Sequence, residues 1–335
     1  MGFELQAACF TFASVSDALP FVSIIVPTRP GQAEIPAVTA ARALDYPKDK
    51  LEIIVARGKQ PAVQRNAAIR AARGELIYFL DDDSRAQPDN LRRALTHFNA
   101  PQVKMLGGPN LCPPEAPPLE QIFAVVLSSW LAVVSSRARY ESVGAVRESS
   151  EKELILCNMM ARRDALLELG GFDESLYPNE ENALMDDLQK RGAKLIYDPQ
   201  FIVHRHPRPT LRAFCKMLFT YGRGRAEQFR LHPSPGSALN FVPPLFCIYL
   251  ITAPLLALPL GPIVFAPLAL YFLAVIGQTA VSLLTKGFFR SLLAAPLLVA
   301  SHVFYGLGFG RGLFTRLKSS GNKPVTEVKL EKVLP

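Results

Sequence analysis

The chain has 335 residues, of which 49% are hydrophobic and 20% are charged, and its formal net charge is +8. This length predicts about two folded units with a sizeable core. Residues 1–236 hold 29 Lys and Arg against 27 Asp and Glu, whereas residues 237–335 hold 8 against 2. Because the basic excess belongs to the C-terminal part, the charge argues against a nucleic-acid-binding face on the main domain and favours a tail near anionic lipid headgroups.

Residues 1–20 are predicted to be an N-terminal extension. They lack a basic start followed by a long apolar core, so no signal peptide is predicted and the main domain is expected to stay cytosolic. The cysteines have no close pairs and no zinc-ligand spacing, which favours free thiols in a reducing compartment. They are Cys9, Cys112, Cys157, Cys215 and Cys247.

From residue 21 onward, strand and helix patterns alternate, which is typical of an α/β domain with a mostly parallel sheet. The predicted strands cover residues 21–26, 51–55, 75–80, 104–112 and 153–160. The predicted helices cover residues 34–45 and 62–73, and a further helix opens at Tyr177 with Asn179 as its N-cap.

Three carboxylates, Asp81, Asp82 and Asp83, follow the apolar run from Leu76 to Leu80. Ligands of open α/β sheets bind beyond the carboxyl ends of strands. Adjacent carboxylates repel each other unless a cation or a cationic partner joins them. A divalent ion, Mg²⁺ or Mn²⁺, carrying the phosphates of a substrate is the simplest guest. The alternative is a polar turn before a helix that starts near Pro88.

Three predicted strand ends fall at one edge of such a sheet: residues 27–29, 56–58 and 81–83. This edge could hold the base, the ribose and the diphosphate of a nucleotide in turn, with the aspartates and a metal at the phosphate end. Pro27 and Thr28 are therefore candidates for nucleotide binding.

A second acidic cluster, Glu180 and Glu181, follows a Gly-rich turn at residues 170–174. Transfer of a group to a hydroxyl requires a general base, and a carboxylate at a helix start facing the metal suits that role. The alternative is that these acids only compensate the helix macrodipole.

A third motif, residues 219–225, contains Arg223 and Arg225 just before the most apolar part of the chain. Guanidinium groups bind diphosphate oxygens well and can stabilise a departing nucleotide. Basic residues are equally typical of a lipid surface, so both interpretations stay open.

The C-terminal part predicts a membrane segment over residues 237–313, because residues 238–285 contain no charged residue. Two spans, about 241–260 and 263–284, and a third candidate at about 291–310 each provide the ~20 apolar residues that a bilayer core needs. Basic residues before the first span and after the second favour a hairpin with both ends in the cytosol. The basic residues after the third candidate do not fit an odd number of crossings, so the number of spans stays open.

Two further segments complete the predictions. Residues 122–134 are too short an apolar run to span a bilayer, and form either a core helix or an amphipathic helix at the membrane surface. Residues 314–335 are expected to be a polar, basic and loosely ordered tail.

Together, these motifs resemble a family 2 glycosyltransferase with a GT-A catalytic domain, over about residues 20–230. The resemblance extends to the membrane-bound branch, especially to glucosyltransferases of succinoglycan-type exopolysaccharides, and gives a GT-A domain at residues 21–236. The motifs that carry it are Val22–Thr28, Arg65-Asn66-Ala67-Ala68, Asp81-Asp82-Asp83-Ser84, Gly170-Gly171-Phe172-Asp173-Glu174, Asn179-Glu180-Glu181-Asn182 and the element at 219–225, which resembles QxxRW.

The resemblance implies a role for each position. Asp81 would face the ribose and share the metal with Asp83, Mg²⁺ or Mn²⁺ being the cofactor, while Glu181 would be the base with Glu180 as its rival. The implied donor-binding residues are Pro27, Thr28, Arg65, Asp81, Asp82, Arg223 and Arg225. Two departures matter. The end of the second strand reads Ala56-Arg57-Gly58, where the family usually has an Asp that binds the nucleobase. Glu181 stands where Asp is commoner.

The expected protein is an inverting, multi-pass enzyme of the inner (plasma) membrane. It would move a hexose from a nucleotide-sugar, a UDP-sugar by preference, to a lipid-linked saccharide at the cytosolic face, in polysaccharide biosynthesis of the cell envelope. The acceptor could instead be polyprenyl phosphate. A non-catalytic scaffold of a polysaccharide assembly complex is the alternative of another class. A transporter is disfavoured, because the predicted spans carry charges only near their ends.

Overall fold

The computed structural model describes residues 19–176, 179–231, 233, 235–317 and 327–335. Most of the predicted N-terminal extension lies outside these residues, as does Tyr177, where a helix was predicted to open. Within the described residues, eight strands form one sheet: β1 (Val22–Thr28), β2 (Leu51–Arg57), β3 (Leu76–Leu80), β5 (Val103–Gly107), β7 (Arg147–Glu148), β8 (Asn158–Arg162), β9 (Lys194–Tyr197) and β11 (Lys329–Val333). Their order in the sheet is β11-β2-β1-β3-β8-β5-β9-β7.

The sheet is mixed. Strands β1, β2 and β3 are parallel neighbours, and β5 and β9 run in the same direction. Strand β8 lies antiparallel between β3 and β5, and the edge strands β11 and β7 are antiparallel to β2 and β9. The predicted parallel arrangement therefore holds at β1, β2 and β3, whose carboxyl ends meet at one edge of the sheet. The strand predicted at 153–160 begins later and runs the opposite way.

Apolar side chains cover both faces of the sheet. One face packs against α1 (Pro36–Arg42) and α3 (Asn90–Phe98), and the other against α2 (Pro61–Ala71), α6 (Arg163–Glu168) and α7 (Glu180–Lys190). The β3 residues have no polar alternation because both of their faces are buried. A second, three-stranded sheet joins β4 (Arg85–Ala86), β10 (Val203–His204) and β6 (Asn110–Leu111) next to the end of β3.

The predicted apolar run at 122–134 is divided between α4 (Pro118–Leu127) and α5 (Trp130–Val133). In α4, Phe123 is fully buried and stacks on Phe214, with 4.2 Å between ring centroids. Phe214 belongs to α8 (Leu211–Leu231). The core interpretation is therefore confirmed for α4.

Three C-terminal helices in the described part of the chain are long and apolar enough to cross a bilayer. Their apolar stretches are Ser237–Leu260, Pro262–Lys286 and Phe288–Phe314. They contain α9 (Val242–Leu260), α10 (Ala266–Lys286) and α11 (Phe288–Phe314). The third differs from the others, because 33% of its most apolar window is buried, against 11% and 6%.

The expectation of a loose tail is wrong for residues 329–333. They form β11, which pairs with β2 from Lys329 opposite Arg57 to Val333 opposite Ile53. Leu330 and Val333 pack against the cores on the two faces of the sheet. This contribution is hard to predict because three of the five residues are charged, and two of them, Glu331 and Lys332, pair with Arg57 and Glu52 from a distant segment.

Candidate active site

The centre of the site is a pair of carboxylates at the end of β3, held by two arginines. Asp81 Oδ1 accepts from Arg65 Nη2 at 2.9 Å, and Asp81 Oδ2 lies 3.0 Å from Arg205 Nη1. Arg205 Nε also donates to Asp83 Oδ1 at 2.5 Å. Burial disfavours the charged form of Asp81, but Arg205 and Arg65 outweigh it and hold the pKa of Asp81 below its usual value. The aspartates therefore have cationic partners within the chain itself.

The second acidic cluster lies beside the first. Arg65 Nη1 is 3.3 Å from Glu180 Oε1, so one guanidinium bridges Asp81 and Glu180. Glu180 is 3% exposed. Burial and the neighbouring Glu181 raise its pKa to about 7, although Arg65 acts in the opposite direction. Glu181, the next residue in the first turn of α7, is half-buried.

Three consecutive residues of α2 assemble the site. Gln64 Nε2 donates to the carbonyl oxygens of Thr28 at 2.9 Å and of Ala56 at 2.5 Å, which joins the ends of β1 and β2. Arg65 joins β3 to α7. Asn66 Nδ2 donates to the Phe172 carbonyl oxygen at 2.9 Å, and the Phe172 N–H donates to Asn66 Oδ1 at 2.8 Å.

The Gly-rich turn before α7 depends on its glycines. Gly170 and Gly171 have φ angles of +79° and +86°, which L-residues rarely adopt. A Cβ on Gly171 would also overlap Asn66 Oδ1. The turn can therefore pass closely under α2, the helix whose Arg65 contacts Glu180.

The donor-binding candidates of β1 line the same edge. Pro27 and Thr28 are buried, and the Thr28 hydroxyl donates to Gln32 Oε1 at 3.0 Å. Asp82 also faces the Gln32 side chain, and burial together with Asp83 raises the pKa of Asp82. The predicted sharing of one edge by these strand ends is thus seen in the structure.

Arg223 and Arg225 lie on α8 with acidic partners of their own. Arg223 Nε is 3.4 Å from Glu227 Oε1, and Arg225 Nη2 is 3.0 Å from Glu151 Oε2. The arginine that contacts Asp81 and Asp83 is Arg205, which follows β10. Its contact with the aspartates is not among the sequence-based predictions. The only available signal was its place in the basic run from His204 to Arg208 after a short apolar segment.

The aspartates fit the implied divalent ion. Carboxylate oxygens are the ligands that Mg²⁺ and Mn²⁺ prefer, and such ions often need one or two carboxylates plus substrate phosphates. Asp83 has a side chain that is 42% exposed, and Arg205 contacts one of its oxygens. Within the described residues, no cluster of three or more His, Cys, Asp or Glu side chains could hold a metal alone. Asp83 and Asp81 would thus hold the ion together with a phosphate-bearing substrate.

A cleft opens beside Arg205 toward the apolar helices. Arg205, Arg208 and Tyr221 lie on its polar side, while Ala124 and Leu127 of α4 lie on its apolar side. The same α4 helix packs against α8 and α11, and it shares one apolar cluster with them and α10. The cleft therefore lies between Arg205, which contacts the carboxylates, and α4, which packs against α11.

The chain is similar to known glycosyltransferases. The family model described as "Glycosyl transferase family group 2" matches residues 76–298. The chain is 26% identical over 192 residues to "Pre-mycofactocin glycosyltransferase" from two strains of Mycobacterium tuberculosis, CDC 1551 and H37Rv; the match covers 54% of this chain and 37% of those relatives. The chain thus spans little more than a third of their length.

Among solved structures, the fold is similar to that of "Mannosyltransferase PcManGT from Pyrobaculum calidifontis in complex with GDP-Man and Mn2+". The TM-score is 0.52 at 18% identity, with 88% of this chain and 87% of that chain covered. Because the family model covers more than half of the sequence, the chain belongs to the family 2 glycosyltransferases, and its fold is GT-A.

Proposed function

We propose that this glycosyltransferase moves a hexose from a UDP-sugar to a lipid-linked saccharide at the cytosolic face of the membrane, with inversion at the anomeric carbon. The observation that carries the proposal is the bridge from Asp81 through Arg65 to Glu180, at 2.9 and 3.3 Å. It places the helix start that bears Glu181 next to the strand end that bears Asp83. The two acidic groups can therefore act on one diphosphate leaving group and one acceptor hydroxyl.

Glu181 is the general base in this proposal. It is more exposed than Glu180, which is buried against Arg65. The acceptor hydroxyl loses its proton to Glu181 as its oxygen bonds to the anomeric carbon and the bond to the diphosphate breaks. Glu180 is a positioning residue that fixes Arg65.

The second requirement is to stabilise the negative charge that develops on the leaving diphosphate. Arg205 lies at the aspartates with a half-buried side chain, so it can stabilise the negative charge that develops there. A divalent ion held by Asp83 and Asp81 would supply further charge neutralisation when bound. Thr28 and Asp82 flank the nucleotide side of the same edge.

The cleft beside Arg205 supports the proposal of a lipid-linked acceptor. Its apolar wall is α4, which packs against the C-terminal helices, and its polar wall leads to Asp81 and Asp83 through Arg205. An acceptor anchored in a bilayer could lie along this cleft with its sugar at the carboxylates.

Transfer assays test this function. Membranes containing the protein are supplied with radiolabelled UDP-glucose or UDP-galactose and with a polyprenyl-diphosphate-linked saccharide or polyprenyl phosphate. We expect labelled saccharide with the opposite anomeric configuration, lost on chelation and restored by Mn²⁺ or Mg²⁺. Glu181→Gln should lower kcat by about 100-fold or more, with a much smaller change in donor KM, because a general base acts in the transition state.

Asp187→Asn is the matched control. Asp187 lies on the same helix α7, and its described partner is the exposed Lys190 at 3.0 Å. This variant should keep the activity of the unmodified chain. Label only on polyprenyl phosphate would replace the proposed acceptor. Full rescue of a pathway mutant by both Glu181→Gln and Asp83→Asn would favour the scaffold.

A further inference from the structure

The C-terminal strand β11 is the outermost strand of the sheet. Its first residue lies at the level of the carboxyl ends of β1, β2 and β3, where the carboxylates lie. Because β11 is antiparallel to β2, its first residue, Lys329, lies opposite Arg57 at the carboxyl end of β2. The order of strands from the aspartates outward is β3, β1, β2 and β11. Neighbouring strands lie about 4.8 Å apart, so the end of β2 is roughly 10 Å from the end of β3. A nucleotide whose phosphates lie at Asp81 and Asp83 would extend its base toward this position.

A cleft exists there, and the C-terminal segment forms one of its walls. The opposite wall is the loop between β1 and α1, and Arg57 lies between the two walls. The lining residues are Pro30, Gly31, Gln32, Ala33, Arg57, Glu327, Lys329 and Glu331.

The polar groups of this cleft are fixed by one another. Arg57 Nε lies 2.9 Å from Glu331 Oε2, and Arg57 Nη1 donates to the Gln32 carbonyl oxygen at 2.8 Å. The Gln32 side chain in turn accepts from Thr28. Arg57 and Glu331 keep 20% and 31% of their side chains exposed. Glu331 Oε1 also lies 3.1 Å from Lys329 Nζ. A chain of contacts therefore leads from β11 to the strand end of β1, and the half-buried side chains of Arg57 and Glu331 line the cleft.

We propose that β11 completes the donor site, with Glu331 and Arg57 binding the nucleobase. This inference rests on the proposed function. It explains the departure at the end of β2, where Arg57 stands in place of an aspartate that would bind the nucleobase. The carboxylate is supplied instead by Glu331, near the other end of the chain. The edge of uracil or guanine presents a carbonyl oxygen beside a ring N–H, which matches a guanidinium donor beside a carboxylate acceptor.

Binding measurements on the detergent-solubilised full chain test this assignment. Isothermal titration calorimetry with Mn²⁺ would compare UDP, GDP and inorganic pyrophosphate, the last of which has no base. Glu331→Ala should weaken the binding of UDP or GDP, whichever binds the unmodified chain more tightly, by about tenfold, as expected for one charge-assisted hydrogen bond. The affinity for pyrophosphate should not change, because the phosphate end of the site is intact.

Lys332→Ala is the matched control on the same strand. Lys332 lies 3.0 Å from Glu52 and does not line the cleft. If Lys332→Ala weakens nucleotide binding as much as Glu331→Ala does, the strand acts only by supporting the sheet and the proposal is wrong. If Glu331→Ala binds UDP and GDP with the same affinities as the unmodified chain does, this assignment is wrong and the proposed function is not affected. Failure of the unmodified chain to bind either nucleotide would overturn the proposed function with it.

Discussion

At the scale of single residues, the site is organised by one guanidinium between two carboxylates. Arg65 is 5% exposed and contacts Asp81 and Glu180. The two acids respond differently, because Asp81 has a second arginine, Arg205, whereas Glu180 is next to another acid, Glu181. The pKa of Asp81 is therefore lowered and the pKa of Glu180 is raised.

The raised pKa of Glu180 predicts a specific dependence of stability on pH. Its pKa is about 7 in the folded chain against an ordinary 4.5. Between these values the folded state binds more protons than the unfolded state, so the contribution of Glu180 is fully present below pH 4.5 and is lost as the pH rises through 7. Glu180→Gln, a neutral isostere, should remove this loss. Thermal unfolding at pH 5 and pH 8 should show a smaller decrease in Tm for the variant than for the unmodified chain. An equal decrease in both would contradict the assignment.

Sequence reasoning located the carboxylates but did not identify all of their partners. Asp81 and Glu181 stand out because they follow an apolar strand and a Gly-rich turn. Arg65 was expected to approach a nucleotide, whereas its described ion pairs are to carboxylates. Arg205 and Gln64 were not selected, because nothing local distinguishes an arginine or glutamine that contacts a distant strand end. Such contacts depend on how α2 and β10 pack, which one sequence does not reveal.

At the scale of elements, α8 and α11 form a close helix pair through glycines. A Cβ on Gly222 would overlap the Tyr305 carbonyl oxygen, and one on Gly308 would overlap the carbonyl oxygen of Phe219. Small residues let helix backbones approach closely, as they do in membrane helix pairs. The segment at 219–225 therefore contributes to helix packing through Gly222 and Phe219, in addition to carrying Arg223 and Arg225. Since Tyr221 also lines the cleft beside Arg205, this packing fixes one wall of the site.

Gly308→Ala should destabilise the pair, whereas Gly310→Ala should not. A Cβ at Gly310 would have no neighbour within 4 Å, so this position of the same helix is a matched control. We expect a loss of about 1–3 kcal/mol for Gly308→Ala, the usual cost of overpacking. Gly310→Ala should gain a few tenths to about 1 kcal/mol from helix propensity. Chemical unfolding in detergent micelles measures both, and equal stability of the two variants would show that the helices do not pack closely.

At the scale of the whole molecule, the pairing of β11 with β2 restricts the membrane topology. The chain enters the apolar helices after the catalytic domain and returns to the sheet of that domain at Lys329. An odd number of crossings would leave β11 on the opposite side of the bilayer from β2. The sequence alone left two or three spans open. The strand that decides between them is five residues long and has no distinctive composition.

We therefore predict that α9 and α10 cross as a hairpin and that α11 does not cross. Lys286, at the end of α10, lies 2.5 Å from Glu141 of the catalytic domain, so the hairpin returns to the side from which it started. In oriented membrane vesicles of a cysteine-free background, a membrane-impermeant thiol reagent should label Lys59→Cys and Leu334→Cys from the same side. It should label Ile263→Cys, between α9 and α10, from the other. Labelling of Lys59→Cys and Leu334→Cys from opposite sides would mean three crossings and would contradict the pairing of β11 with β2.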